Sequence, residues 1–325
     1  MKRGCVIGYD INEKGCQISY YDDSMEEPDT MMASSNNYLI PLVLGYFKDR
    51  WVFGKEAKRL AVVGEDCTET DLYGKAKRRE KVSLAGKTYD AVWLLAKYIS
   101  LTLQDFENIQ YLTFTTPETD VDMAKMLKGI GQHIGVDKEI INVQDYKESF
   151  CQYMIFQPKE LWQYESALFY CDEDRIKAYM LRRLRVDASH GMNSFVTVDE
   201  VANAQRKELE ALYPIMNKEK SPDESFKSMI ENVFEKKVIS SVYLTGEGFE
   251  KNWYPNSLRV LCNGRRAFMG NNLYSKGACY KSIRKCEPND DGPIYLDETK
   301  LTERICLRMR VDGQEMWYPL VSWGA

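Results

Sequence analysis

A strand, a tight acidic turn and a second strand occur twice in this chain, about 160 residues apart. Cys5-Val6-Ile7-Gly8-Tyr9 runs apolar into Asp10-Ile11-Asn12-Glu13-Lys14-Gly15, and Cys16-Gln17-Ile18-Ser19-Tyr20 alternates on the far side. Ser166–Cys171 and Arg175–Leu181 flank Asp172-Glu173-Asp174 in the same manner. Apolar or alternating runs around turn chemistry read as β-hairpins. The first hairpin is followed by alternating strand and helix patterns, which is the order of an α/β fold. With 325 residues the chain can bury a substantial core, and two lobes are expected.

Between the hairpins, Tyr38 to Phe47 is β-like, Lys48-Asp49-Arg50 turns it into Trp51-Val52-Phe53, and Gly54 hands over to a helix from Lys55 to Val63. Residues 64–86 are charged and carry no period, like the acidic loop at 22–37. Ala91, Leu94, Leu95, Tyr98, Ile99, Leu101 and Leu103 fit one helical face. Strands are then expected at 111–115 and 140–143. Helices are expected at 119–134, with Thr119 as N-cap and Gly135 as stop, and at 145–156. Pro158 ends the last of these.

After the second hairpin come a Ser/Gly/Asn loop at 186–197 and helices at Asp199–Met216 and Pro222–Lys237. A strand at Ile239–Leu244 then meets Gly246-Glu247-Gly248. The segment from Gly270 to Ser282 begins rich in Gly and Asn and turns helical. The last 33 residues read as short strands of a β-rich extension, expected to continue past Ala325.

Composition narrows the function classes. Forty-four basic residues against 49 acidic give a net charge of −5, which argues against a broad nucleic-acid or anionic-membrane surface. No apolar run reaches membrane-spanning length, and the short run after Met1-Lys2-Arg3 reads as a strand and not as a signal peptide. Nine scattered cysteines without CxxC spacing point to reduced, structural thiols and a cytoplasmic setting. Two histidines, His133 and His190, leave little material for imidazole chemistry.

Several positions admit both a chemical and a plain reading. Asp10, at the end of an apolar strand, is placed to hold a magnesium-bound water beside a phosphate, or is a turn residue. Asp172 and Asp174 in the second turn carry the same choice. Gly246 and Gly248 let backbone approach a ligand closely, or end a strand. Lys276-Gly277-Ala278 suits a base or a close helix contact. Lys75-Ala76-Lys77-Arg78-Arg79 meets phosphate or is solvated.

In order, these pieces resemble the nucleotide-binding domain of the DnaK-type heat-shock chaperones, in the superfamily that includes actin and hexokinase. Val6-Ile7-Gly8-Tyr9-Asp10-Ile11 is similar to that family's first phosphate strand. Tyr38–Ala61, with Phe53-Gly54-Lys55-Glu56-Ala57-Lys58-Arg59, resembles its "V-G-x-x-A-K-x" segment. Lys77 falls where the family carries its catalytic lysine. Leu112-Thr113-Phe114-Thr115-Thr116-Pro117-Glu118 looks like "V-I-T-V-P-A", with Ile134-Gly135-Val136 where the family has "A-G-L". Glu148 opens the helix that matches "E-P-T-A-A-A". Val242–Gly248 resembles the adenosine strand, and Lys276-Gly277-Ala278 the closing "A-x-G-A-A". The likeness spans residues 4–284.

It implies an α/β, two-lobed actin-like ATPase fold with a repeated mixed-sheet core around a cleft. The lobes would be residues 1–157 and 158–288, with the extension at 289–325. It further implies ATP or ADP with Mg2+, the metal oriented by Asp10 and Asp172. Lys77 and Glu148 would join these two in catalysis. Asn12, Lys14, Gly246, Glu247, Gly248, Lys276 and Gly277 would lie along the nucleotide.

The departures set the functional expectation. The family's first turn, "D-L-G-T-T", is Asp10-Ile11-Asn12-Glu13-Lys14 here, and its second, "D-L-G-G-G-T", has shrunk to Asp172-Glu173-Asp174-Arg175. Lost glycines remove the close N–H approach to β- and γ-phosphates. The expectation is a DnaK-like nucleotide-binding or pseudo-ATPase module with little or no hydrolysis, acting on protein partners in chaperone-like work. The alternative is a protein-binding scaffold with a filled cleft, whose turn charges, Lys14 and Arg175 against the opposite carboxylates, would pair across it.

Overall fold

The opening apolar run forms strand β1 (Cys5–Ile11), and every residue from Val6 to Ile11 is buried. A strand buried on both faces needs cover on both, and the period of two shows what supplies it. Ile7, Tyr9 and Ile11 enter a core shared with Leu94, Leu95, Tyr98 and Ile99 of the helix Ala91–Thr102. The Tyr9 hydroxyl is satisfied there by Thr102 Oγ1 at 2.8 Å. Val6, Gly8 and Asp10 face the other way, where the Cys279 thiol donates to the Val6 carbonyl and the Tyr146 hydroxyl to Asp10.

The structure, a computed structural model, describes residues 4–34, 37–63, 67–184, 194–205, 221–287, 292–297, 305–311 and 314–321. It is a mixed α/β protein in two units: Met1–Tyr153 with Asn272–Asp290, and Met154–Asn271 with Asp291–Ala325. The helix Leu273–Cys286 thus belongs with the first unit, although its sequence follows the second hairpin.

In the first unit β1 is followed by β2 (Gly15–Tyr21), β3 (Asp29–Thr30) and β4 (Ile40–Pro41). β5 (Leu44–Phe47) and β6 (Arg50–Phe53) form a hairpin whose turn residues Lys48 and Asp49 have φ of 49° and 60°, the twist-matching turn for two residues. β7 (Thr68–Glu69) pairs with β5, and β8 (Lys81–Leu84) with β9 (Lys87–Asp90). β10 (Ile109–Thr116) and β11 (Ile141–Asp145) complete the unit. The main sheet runs β11-β10-β1-β2-β3, with β4 also on β2. β1 is antiparallel to β2 and parallel to β10, and β10 is parallel to β11.

The second unit holds β12 (Glu165–Cys171), β13 (Arg175–Leu184), β14 (Phe195–Gln205), β15 (Ile239–Thr245), β16 (Arg266–Met269) and β17 (Ile294–Tyr295) in the order β16-β15-β12-β13-β14-β17. β12 is antiparallel to β13 and parallel to β15, and β15 is parallel to β16. Each unit therefore centres on a hairpin strand with two parallel strands beyond it. The second core gathers Ala167, Phe169 and Cys171 with Phe226, Ile230 and Phe249. β18 (Ile305–Val311) and β19 (Gln314–Val321) form a separate two-stranded sheet, on which Leu307 stands opposite Tyr318 and Met309 opposite Met316. Among the described residues no helix is long and apolar enough to cross a membrane.

Several expectations need correction. The stretch 64–86 holds β7, the helix Leu72–Lys77 and β8, whose Val82 and Leu84 reach the core. The fourth helix, Val121–His133, is capped by Asp120 and not Thr119: the Asp120 carboxylate accepts from Met123 N at 2.7 Å, while Thr119 bonds Thr116. Residues 199–205 are strand, not helix. Val196 and Val198 are buried along β14, and ladder pairing with β13 overrides the helical preference of its alanines. The rest of that expected helix, 206–216, and most of the expected 186–197 loop lie outside the described residues.

Candidate functional site

Asp10 is the focus of the first unit's chemistry. β1 carries it to the C-terminal edge of a central strand, between Gln17 of β2 and Thr115 of β10. It is 3% exposed. The chain leaves β11 at Asp145, whose carboxylate caps the next helix at Glu148 N, so Tyr146 starts that helix beside the end of β1. The Tyr146 hydroxyl donates to Asp10 Oδ1 at 2.8 Å and accepts from Asn12 Nδ2 at 3.0 Å. Its ring lies flat on Tyr274, with centroids 3.7 Å apart. Burial pushes the Asp10 carboxyl up to about 7, with the Tyr146 hydrogen bond acting in the opposite direction. Tyr73 stands close enough to feel Glu13 and Asp10: burial and those two carboxylates push its hydroxyl up to about 12, against a hydrogen bond with Thr116.

The two hairpin turns have the same construction. Asn12 Oδ1 accepts from Lys14 N at 2.9 Å and Gly15 N at 3.3 Å, and Asn12 N donates to the Gly15 carbonyl. Asp172 Oδ1 accepts from Asp174 N and Arg175 N, both at 2.8 Å, and Asp172 N donates to the Arg175 carbonyl. Asp172 therefore corresponds to Asn12. The residue matching Asp10 is Tyr170, which faces Lys177 as Asp10 faces Gln17. The expected pair of metal aspartates is two residues out of register, and the Asp172 carboxylate serves its own turn.

The remaining candidates are engaged in packing or lie at the surface. Lys77 is exposed at the end of its helix, while Lys75 and Arg78 of the same basic run pair with Glu69 and Asp71 at 2.8 and 2.9 Å. Glu148 pairs with Lys281 at 2.8 Å, and one turn on Gln152 accepts from Arg284 at 2.9 Å, tying two helices of the first unit together. Those helices cross where a Cβ on Gly277 would stand 2.0 Å from the Ser149 carbonyl oxygen. Lys276 pairs with Glu27 at 3.7 Å. Lys14 is exposed.

In the second unit Gly246, at φ +100°, would drive a Cβ to 2.1 Å from the Cys171 carbonyl oxygen, and a Cβ on Gly248 would meet Cys171 Sγ at 2.3 Å. Both glycines allow the loop to lie on the hairpin, and Glu247 between them is exposed.

A family model described as a family of unknown function (DUF5716), C-terminal, matches residues 27–298, more than four fifths of the chain. This chain belongs to the DUF5716 C-terminal family. The match takes in both units and omits the β1–β2 hairpin and the β18–β19 sheet. No curated protein matches the chain. Tyr146, Tyr274 and Tyr73, the tyrosines gathered near Asp10, escaped sequence reasoning. Each comes from a separate helix, and no spacing links them to Asp10.

Proposed function

We propose that this chain is a two-lobed, actin-like ATPase core that no longer handles magnesium nucleotide at its hairpin turns and works as a protein-binding scaffold. The fold half of the reading is supported by the two sheets, which share a hairpin strand at their centre and two parallel strands beyond it. The functional half is carried by one observation: the Asp10 carboxylate is buried under Tyr146, which is itself fixed by Asn12 and by stacking on Tyr274.

A magnesium–phosphate unit calls for an ionised, open carboxylate with further oxygen ligands near it. Burial disfavours the ionised form of Asp10, its Oδ1 is taken by the Tyr146 hydroxyl, and Tyr170 stands at the position of its counterpart. Among the described residues no group of three or more His, Cys, Asp or Glu side chains is placed to hold a metal. The residues present do not fit the group. Gly246, Gly248 and Gly277, which the resemblance gives to nucleotide, lie against backbone or thiol of their own unit.

Phosphate release from saturating MgATP by the full chain is expected to stay at background. A rate of an ordinary kinase, about 1–100 per second, lost in Asp10→Asn, would overturn the reading.

A further inference from the structure

β14 is paired with β13 from Phe195 to Gln205 on one side, apart from a bulge at Val201. On its other edge β17 covers Phe195 and Val196, and past these no further strand is paired with it among the described residues. There the edge runs beside the helix Pro222–Phe234, and the two leave an open groove of about 410 Å³. Ala202 and Ala204 form the strand wall; Ser225, Met229, Asn232 and Lys237 line the other. A bulge opposite Ala178 and Tyr179 interrupts the ladder at Val201, where the groove begins.

Three features point to one kind of ligand. An edge strand offers backbone groups to an added strand, and a helix alongside gives such a strand a wall for its side chains. Ser225 is 7% exposed, and its hydroxyl has no hydrogen-bond partner among the described residues. A helical serine ordinarily returns its hydroxyl to the carbonyl four residues back, as Ser228 does to Glu224 at 2.9 Å. An incoming amide or carbonyl would satisfy it. Lys237, just past the helix end, brings a cation to one end of a groove otherwise lined by apolar and neutral groups.

We infer that this groove binds an extended peptide segment of a protein partner, added as a strand along β14, with a small apolar side chain against Met229 and a carboxylate toward Lys237. This names the partner chemistry of the scaffold role proposed above and rests on that reading for its purpose. Its residues all lie in the second unit, so its test is separate from that of the Asp10 turn.

The probe is fluorescein-labelled Ser-Thr-Val-Thr-Val with a free carboxylate, and the same peptide as its amide, followed by fluorescence anisotropy with the full chain. Saturable binding is expected, weaker by about tenfold or more in Met229→Lys. The free carboxylate should bind better than the amide, and that preference should vanish in Lys237→Ala. Should Met229→Lys melt early, Asn232→Arg, at an exposed groove position, replaces it with the same expected loss. Absence of saturable binding up to millimolar protein overturns the proposal, and so does binding that neither groove variant weakens. Binding that appears only after residues 206–220 are replaced by a Gly/Ser linker of equal length assigns the groove to the chain's own segment and overturns it as well.

Discussion

Gly8→Ala is expected to destabilise the first unit by about 3 kcal/mol, the upper part of the range for overpacking a tight contact. A Cβ at Gly8 would stand 2.1 Å from the Ser275 carbonyl oxygen and 2.2 Å from the Cys279 backbone nitrogen. Both atoms are main chain, so no side-chain rotation relieves the clash and the helix Leu273–Cys286 must move. Its seam on the sheet is made of short hydrogen bonds that tolerate little displacement: Ser19 to Ser275 at 2.8 Å, Thr113 with Ser282 at 2.7 Å, and Ser282 to the Ile7 carbonyl at 3.1 Å. Gly129→Ala is the control. That glycine lies in the helix Val121–His133 with nothing within 4 Å of its added Cβ, so alanine there should be neutral or stabilising by about 0.5–1 kcal/mol. Urea unfolding of the two variants decides. A Gly8→Ala loss no larger than the scatter of the control would mean that the helix does not sit on β1 as described.

Asp10 gives the second large effect, with a sign opposite to that of most buried-site variants. Its carboxyl titrates near 7 in the fold, against an ordinary 3.8. Between those values the native protein holds a proton that the unfolded chain has released, so stability falls as pH rises from about 4 to about 7. Across three pH units the loss is at most roughly 4 kcal/mol at 1.36 kcal/mol each. Asn at this position keeps an acceptor for the Tyr146 hydroxyl and removes the titration. Asp10→Asn is therefore expected to match the wild type near pH 4 and to exceed it at pH 8. Urea unfolding from pH 4 to 8 tests this, and a variant less stable than wild type at pH 8 would contradict it.

Local signals were legible where they coincide with tertiary demand. Alternation around Asn12–Lys14 and Asp172–Asp174 yields hairpins because both flanking strands are needed at the centre of a sheet. The apolar face of Ala91–Thr102 shows the same agreement. Reading failed where pairing or chain reversal decides. The alanines at 202 and 204 suit a helix, yet β13 needs an antiparallel neighbour there. No local pattern announces that Leu273–Cys286 returns to β1, although Gly277 and Ala278 did offer a close helix contact as one of their two readings.

Of the residues gathered at Tyr146, the sequence singles out Asp10 and Asn12 and none of the tyrosines. Aligning the turns by their aspartates places Asp172 against Asp10, whereas the hydrogen-bonding pattern sets it against Asn12. Only paired backbone reveals that offset. Lys77, matched by position in a charged stretch, is exposed, while Leu72, Tyr73 and Ala76 of its helix are buried. Tyr146 depends on where β11 ends, which is a property of the sheet and not of the local sequence.

Calorimetric titration of MgATP into the full chain at neutral pH tests most directly whether the hairpin turns have given up phosphate. No saturable heat is expected. Likewise no stabilisation should appear at ligand concentrations where a bound nucleotide at a hundred times its Kd would add about 2.7 kcal/mol. Saturable binding that is abolished by Asp10→Asn and untouched by Met229→Lys would contradict the scaffold reading.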